Sequence, residues 1–264
     1  MLRRLALWLA LALGLALAAP AQAADPVPPG EGMVAQPCPP KTEGLWALSP
    51  YVVKYDWAWR CRFQEENRTM EAKPPRVVFM GDSITEGWSK LDPEFFAQGF
   101  ANRGISGQTS TQMLVRFYQD VVALHPKVVH IMAGTNDVAG NGGPTTAEQY
   151  HNTIRSMVDI ARANSIQVVI GSIPPADRFS WNLAVKPALQ IADLNRWLKD
   201  YARANGLAYA DYYGAMAGPN GELLPAYATD GVHPVAAGYA VMRPIAERAI
   251  AEAEARTRVR TKRR

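Results

Sequence analysis

The sequence predicts an α/β fold built on a parallel sheet with helices on both faces, and three observations carry that prediction. Short β-branched or apolar runs recur between residues 77 and 210. Long amphipathic stretches separate them, and strands alternating with helices of that length need crossover connections and therefore a parallel sheet. The chain has 264 residues, 48% of them hydrophobic and 20% charged, enough to bury a substantial core without metals or disulfides as staples.

Taken in order, residues 1–23 hold a charged start (MLRR), an apolar stretch, and small residues at Ala21 and Ala23. This is the pattern of a secretory signal peptide cleaved before Ala24. Pro20 interrupts the apolar run, which argues against an uncleaved anchor, and no later stretch approaches the roughly 20 apolar residues a membrane span requires. The expected compartment is the periplasm or the extracellular medium.

Residues 24–70 read as an N-terminal arm. Its first half is rich in Pro and Gly. In its second half, Tyr51, Val53, Tyr55, Trp57 and Trp59 alternate like a strand, yet the run DWAWRCRFQEENRTM is long for one and favours a helix beginning near Asp56. Its aromatic residues are expected to pack rather than to form a binding platform. Cys38 and Cys61, the only two cysteines, are expected to form a disulfide in an oxidising compartment; two free thiols are the alternative.

Beyond Pro75 the pattern is regular. Val77–Met80, Val128–Met132, Gln167–Ile170 and Leu207–Ala210 read as strands, with Phe100–Asn102 a weaker one. Residues 109–124, 145–164, 189–205 and 234–255 read as helices; in the second, Tyr150, Ile154, Met157, Val158 and Ala161 recur at helical spacing.

Chemistry in such sheets gathers in loops beyond the carboxyl ends of the strands, and four of those loops carry motifs. Gly81-Asp82-Ser83-Ile84-Thr85 places a serine at a strand-to-helix turn, where a hydroxyl is exposed beside helical N–H groups. Asn102-Arg103-Gly104-Ile105-Ser106-Gly107-Gln108-Thr109 supplies glycines that allow close backbone approach. Gly134-Thr135-Asn136-Asp137 offers a side-chain amide, with Asp137 expected to hold the loop. Asp230-Gly231-Val232-His233-Pro234 puts a carboxylate and an imidazole in one turn, which suits a base and the group that orients it.

These four blocks, in this order, resemble those of the SGNH or GDSL hydrolases. The resemblance spans residues 76–250 and implies a flavodoxin-like three-layer α/β/α sandwich with about five parallel strands, occupying residues 71–255. It implies Ser83 as nucleophile, His233 as base and Asp230 as its orienting partner. It also implies an oxyanion hole made by Ser83, Gly107 and Asn136. Thr135 stands where many members have a second glycine, a departure expected to alter loop packing more than chemistry. The implied function is a secreted serine esterase acting through an acyl-enzyme. A short-chain (acetyl) ester is the favoured substrate, with a carbohydrate as a candidate alcohol, and a lysophospholipase or thioesterase activity is the alternative. Residues 174–187 are expected to border the site, with Asp177, Arg178 and Trp181 mixing an aromatic face and hydrogen-bonding groups in a way that suits a sugar.

A binding protein on the same fold is the distant alternative. Gly140-Asn141-Gly142-Gly143 resembles part of a dinucleotide loop, but Thr145 stands where the third glycine belongs and the segment does not open the first βα unit. No cofactor is therefore expected. The four histidines, at 125, 130, 151 and 233, do not cluster as metal ligands, so no metal is expected either.

The formal net charge of +4 sits at the ends. Arg3 and Arg4 lie in the segment to be removed, and residues 256–264 carry six basic side chains. Without those two groups, residues 24–255 carry −4. Nucleic acid is thus not an expected partner; the tail is expected to be a solvated end, with weak contact to an anionic envelope surface the alternative.

Overall fold

The computed structural model describes residues 50–261, and the expected signal segment, Cys38 and residues 262–264 lie outside them. The described chain begins with two short helices, α1 (Pro50–Tyr55) and α2 (Gln64–Met70). It continues as β1 (Val77–Gly81), α3 (Ser83–Leu91), α4 (Pro93–Phe96), β2 (Phe100–Gly104) and α5 (Ser110–Asp120). After a 3₁₀ turn at Val122–Leu124 come β3 (Val128–Met132), α6 (Thr135–Ala139), α7 (Ala147–Ala163) and β4 (Gln167–Gly171). The last elements are α8 (Pro187–Ala204), β5 (Ala208–Ala210), α9 (Tyr212–Met216) and α10 (Ala236–Thr261).

The five strands pair in parallel in the order β2-β1-β3-β4-β5. Because a strand's side chains alternate between faces, the apolar runs divide into two cores. Val78, Met80, Val129, Ile131, Val168 and Ile170 face α5, α7 and α8, meeting Phe117, Ile154, Met157 and Leu198. Val77, Phe79, Val128 and Val169 face the other layer, with Trp88 of α3, Phe95 of α4 and Met242, Ala246 and Ile250 of α10. Burial on both faces explains why the strands read as continuous apolar runs. Each buried Val, Leu, Ile, Phe or Met among them contributes about 1.5–3 kcal/mol of transfer free energy.

Caps set the ends of the helices. Thr146 accepts at its hydroxyl from Gln149 N–H while the Gln149 side chain accepts from Thr146 N–H, so α7 starts with a capping box. Pro187 opens α8, where a missing N–H costs nothing.

Two expectations are corrected. No helix begins near Asp56: α1 stops at Tyr55, and residues 57–63 form turns before α2. The Asp56 carboxylate takes the N–H groups of Arg60 (2.9 Å) and Cys61 (2.9 Å), and Trp59 adopts φ +48°, so side-chain bonding replaces the helical ladder. The aromatics there divide: Phe63 is buried with Val52 and Ile105, while Tyr55 and Trp57 are exposed. At the other end, α10 continues past Ala255 to Thr261 where a separate tail was expected, and Arg256 pairs with Glu252. Cys61 is disulfide-bonded.

Candidate active site

The sheet order brings the ends of β1, β2 and β3 side by side, and three of the four motif loops leave from them. Ser83 is the first residue of α3, so its backbone N–H has no acceptor within the helix. Asp82 caps that helix by accepting from Ile84 N–H at 3.0 Å. The second loop lies directly on the same turn: a Cβ at Gly104 would stand 2.2 Å from the Glu86 backbone nitrogen, so only glycine allows this approach. Glu86 fastens the loop by accepting from both the N–H (2.8 Å) and the hydroxyl (2.6 Å) of Ser106. Gly107, next in the chain, takes φ +82°.

His233 enters from the far end of the sequence. Its Nε2 lies 2.9 Å from Ser83 Oγ, and its Nδ1 lies 2.6 Å from Asp230 Oδ2. A carboxylate only accepts, so Nδ1 carries the proton and Nε2 presents its lone pair to the serine hydroxyl. Asp230 Oδ1 accepts from the backbone N–H groups of Val232 (2.9 Å) and His233 (2.8 Å), which folds the turn tightly enough to bring carboxylate and ring together. Partial burial pushes the Asp230 carboxyl upward, but the His233 ring and these two N–H groups outweigh it and hold the group below its ordinary value. The His233 and Asp230 side chains keep 40% and 43% exposure, so the pair sits in an open surface rather than a tunnel.

Asn136 lies at the start of α6. Its Nδ2 donates to Asp82 Oδ2 (3.2 Å) and to Gln108 carbonyl oxygen (3.1 Å), bonds at the long end of the normal range. The amide thus stands between the chain neighbours of Ser83 and Gly107. Asp137 accepts from the N–H (2.9 Å) and hydroxyl (2.6 Å) of Ser110, tying the third loop to α5 as expected.

A polar framework beneath these loops was not anticipated from the sequence. Arg116 of α5 is fully buried; it donates to Gln108 Oε1 (2.6 Å), Asp120 Oδ2 (3.0 Å), Gly81 carbonyl oxygen (3.2 Å) and Arg103 carbonyl oxygen (2.8 Å). Burial pulls its guanidinium below the ordinary value and Asp120 opposes that pull. The only signal in the sequence was an arginine and an aspartate four residues apart, which is the usual pattern of a solvated helix face.

Of the loop residues, Trp181 reaches the site: its ring centroid is 6.2 Å from that of His233, and Phe179 stacks behind it at 5.0 Å. Trp181 Nε1 donates to Asn141 Oδ1 (3.0 Å), and Asn182 donates to the Ala139 carbonyl (2.9 Å), docking the loop on the segment after α6. Arg178 pairs with its neighbour Asp177 at 3.2 Å and borders Gly231. Among the described residues no cluster of His, Cys, Asp and Glu is placed to hold a metal, and no helix is long and apolar enough to cross a membrane.

A family model for the GDSL-like lipase/acylhydrolase family matches residues 79–241. The chain belongs to that family. A candidate acylhydrolase from Bacteroides fragilis is 45% identical with a TM-score of 0.72, over 75% of this chain and 98% of its own. A GDSL-like lipase from Bacteroides thetaiotaomicron is 42% identical with a TM-score of 0.70, over 75% of this chain and 100% of its own. An acetylxylan esterase from Geobacillus stearothermophilus shares the GDSL-like fold at 23% identity and TM-score 0.54, over 66% of this chain and 93% of its own. No curated protein sequence gives a significant match.

Proposed function

We propose that this GDSL-like chain is an exported serine esterase that removes short acyl groups, acetyl foremost, from a carbohydrate alcohol. The observation that carries the reading is the Ser83–His233–Asp230 line of hydrogen bonds lying beside the Asn136 amide. Ser83 Oγ attacks the ester carbonyl as its proton passes to His233 Nε2, and Asp230 stabilises the imidazolium. The Ser83 and Gly107 N–H groups and Asn136 Nδ2 receive the oxyanion; Asn136 exchanges its long bond to Gln108 for the stronger charged acceptor. His233 then returns the proton to the departing alcohol. Water, deprotonated by the same ring, attacks the acyl-serine carbonyl; the C–O bond to Ser83 breaks, and Oγ recovers its proton as the acid leaves.

The open setting of His233 favours a bulky alcohol with a small acyl group, and the exposed Trp181 face offers a stacking surface for a sugar ring. The acetylxylan esterase that shares the fold makes acetylated oligosaccharide a substrate to test. Ser83→Ala should lower acetate release and p-nitrophenyl acetate turnover by at least about 10³-fold. Unchanged turnover would sink the assignment, and preference for p-nitrophenyl octanoate over acetate would sink the short-acyl choice. Export is read from residues 1–23 and agrees with the bonded Cys61; N-terminal sequencing of secreted material should begin at Ala24. Retention on anionic vesicles that drops when the chain ends at Ala255 would support contact of the basic end with an envelope surface.

A further inference from the structure

Three side-chain hydrogen bonds run in line from the surface to the turn that carries Ser83. Trp181 Nε1 donates to Asn141 Oδ1 at 3.0 Å, Asn141 Nδ2 donates to Asn136 Oδ1 at 2.6 Å, and Asn136 Nδ2 donates to Asp82 Oδ2 at 3.2 Å. The direction of this line is fixed by its ends. An indole N–H only donates and a carboxylate only accepts, so each of the two amides between them has a single orientation that satisfies both neighbours. Turning the Asn136 amide over would set its oxygen against the Gln108 carbonyl and Asp82, and its NH₂ against that of Asn141.

The orientation matters because Asn136 has to present NH₂, not oxygen, where negative charge develops. Its backbone does not settle this, since both faces of a carboxamide fit the same space. The Gln108 carbonyl and Asp82 hold the NH₂ side by long bonds, and Asn141 adds the short bond at the amide oxygen, from a loop flanked by Gly140 at φ +75° and by Gly142 and Gly143, whose backbone offers little stiffness of its own. Asn141 is in turn held by Trp181, which is 45% exposed and borders His233. A ring in that position is touched by whatever occupies the site.

We propose that Asn141 and Trp181 are positioning residues that orient the Asn136 amide for the oxyanion, so that the loop of residues 174–187 sets how well the site stabilises the transition state. This rests on the esterase reading. The step is one of geometry, so it should appear in kcat with little change in KM. Trp181→Phe keeps a ring on Phe179 but removes the donor, Asn141→Ala removes the middle link, and Asn141→Asp offers Asn136 Oδ1 an acceptor where it needs a donor.

The test is p-nitrophenyl acetate hydrolysis by the full chain, with Ser83→Ala as the reference for background. Trp181→Phe should lower kcat about 3- to 10-fold and Asn141→Ala about 10- to 30-fold, with KM within about twofold; these lie below the 100- to 1000-fold expected for losing an oxyanion donor outright. Asn141→Asp should be worse than Asn141→Ala. In an Asn136→Ala background both substitutions should become neutral, because there is no amide left to orient. If Trp181→Phe or Asn141→Ala keeps its full factor in that background, the residue acts by another route and the proposal is overturned. Wild-type kcat in both single variants, with Ser83→Ala inactive, overturns the positioning role while leaving the esterase reading intact. Absence of Ser83-dependent turnover in the wild type overturns both.

Discussion

Arg116→Met tests how far the buried guanidinium organises the site. Methionine fills much of the volume, so the loss is electrostatic. Four bonds disappear: those to Gln108, Asp120, Gly81 and Arg103. Asp120, equally buried, would keep the Asn67 side chain as its side-chain donor among the described residues, at 2.8 Å. Removing one partner of a buried ion pair costs about 3–5 kcal/mol, because the other charge loses its direct partner, and the nearby Arg103 guanidinium compensates Asp120 only in part. The freed carbonyls add to that, although relaxation and water recover part, so about 4–5 kcal/mol is expected in total. For a chain of this size each kcal/mol moves Tm by about 2–4 °C, giving a fall of roughly 8–20 °C by calorimetry or circular dichroism. Adding Asp120→Asn removes the orphaned charge and should restore roughly a third of the loss. A fall below about 3 °C, or a double variant less stable than Arg116→Met, would refute the idea that this pair is coupled and dry.

Asp82 supplies a pH prediction. Burial pushes its carboxyl to about 6 from 3.8, against the Ile84 N–H and His233, which pull it down. The folded state therefore binds its proton more tightly than the unfolded chain, and this contribution is greatest below about 4 and lost as pH rises through 6. The stability of the wild type relative to Asp82→Asn should fall by about 2–3 kcal/mol between pH 4 and 7 in urea titrations; a pH-independent difference would contradict it. Asp230→Asn should lower kcat by roughly 10³- to 10⁴-fold. With its oxygen kept by the two backbone N–H groups, the asparagine turns NH₂ toward His233 and forces the proton onto Nε2, so a small effect in steady-state kinetics would mean the tautomer does not matter. Gly104→Ala should fail to give soluble protein, because the new Cβ would meet backbone atoms at 2.2, 2.7 and 2.8 Å; a soluble variant with wild-type Tm would show that α3 can move away.

The legible parts were those written locally. Three of the motif loops are a few consecutive residues at the end of a strand, and β1 reads as an apolar run because both its faces are covered, whereas β2 (FANRG) is polar in part and read more weakly. The aromatic segment was misread because the decisive contact is between the Asp56 side chain and backbone groups four and five residues on, which leaves no mark on periodicity. Arg116 was hidden for a different reason. Its partners come from Gly81, Arg103, Gln108 and Asp120, positions scattered over the chain, and a buried arginine in an amphipathic helix spells the same letters as an exposed one. Asn141 was noticed only as a letter in a glycine-rich loop, since its role exists through Trp181, forty residues away.

The hydrogen bond between Ser83 and His233 spans 150 residues, and this gives the molecule a timetable. Ribosomes deliver about 5–20 residues each second, so the nucleophile emerges roughly 8–30 s before its base. α3 is not complete in that interval, because its Trp88 is buried by stacking on Tyr239 of α10 at 5.5 Å and its Ile84 carbonyl accepts from the Tyr239 hydroxyl at 2.7 Å. The imidazole follows only with the segment leading into α10, the helix that closes over β4 and β5. The segment that delivers the base is therefore also the one that buries the helix of the nucleophile, so ester cleavage waits on a single docking event that completes both.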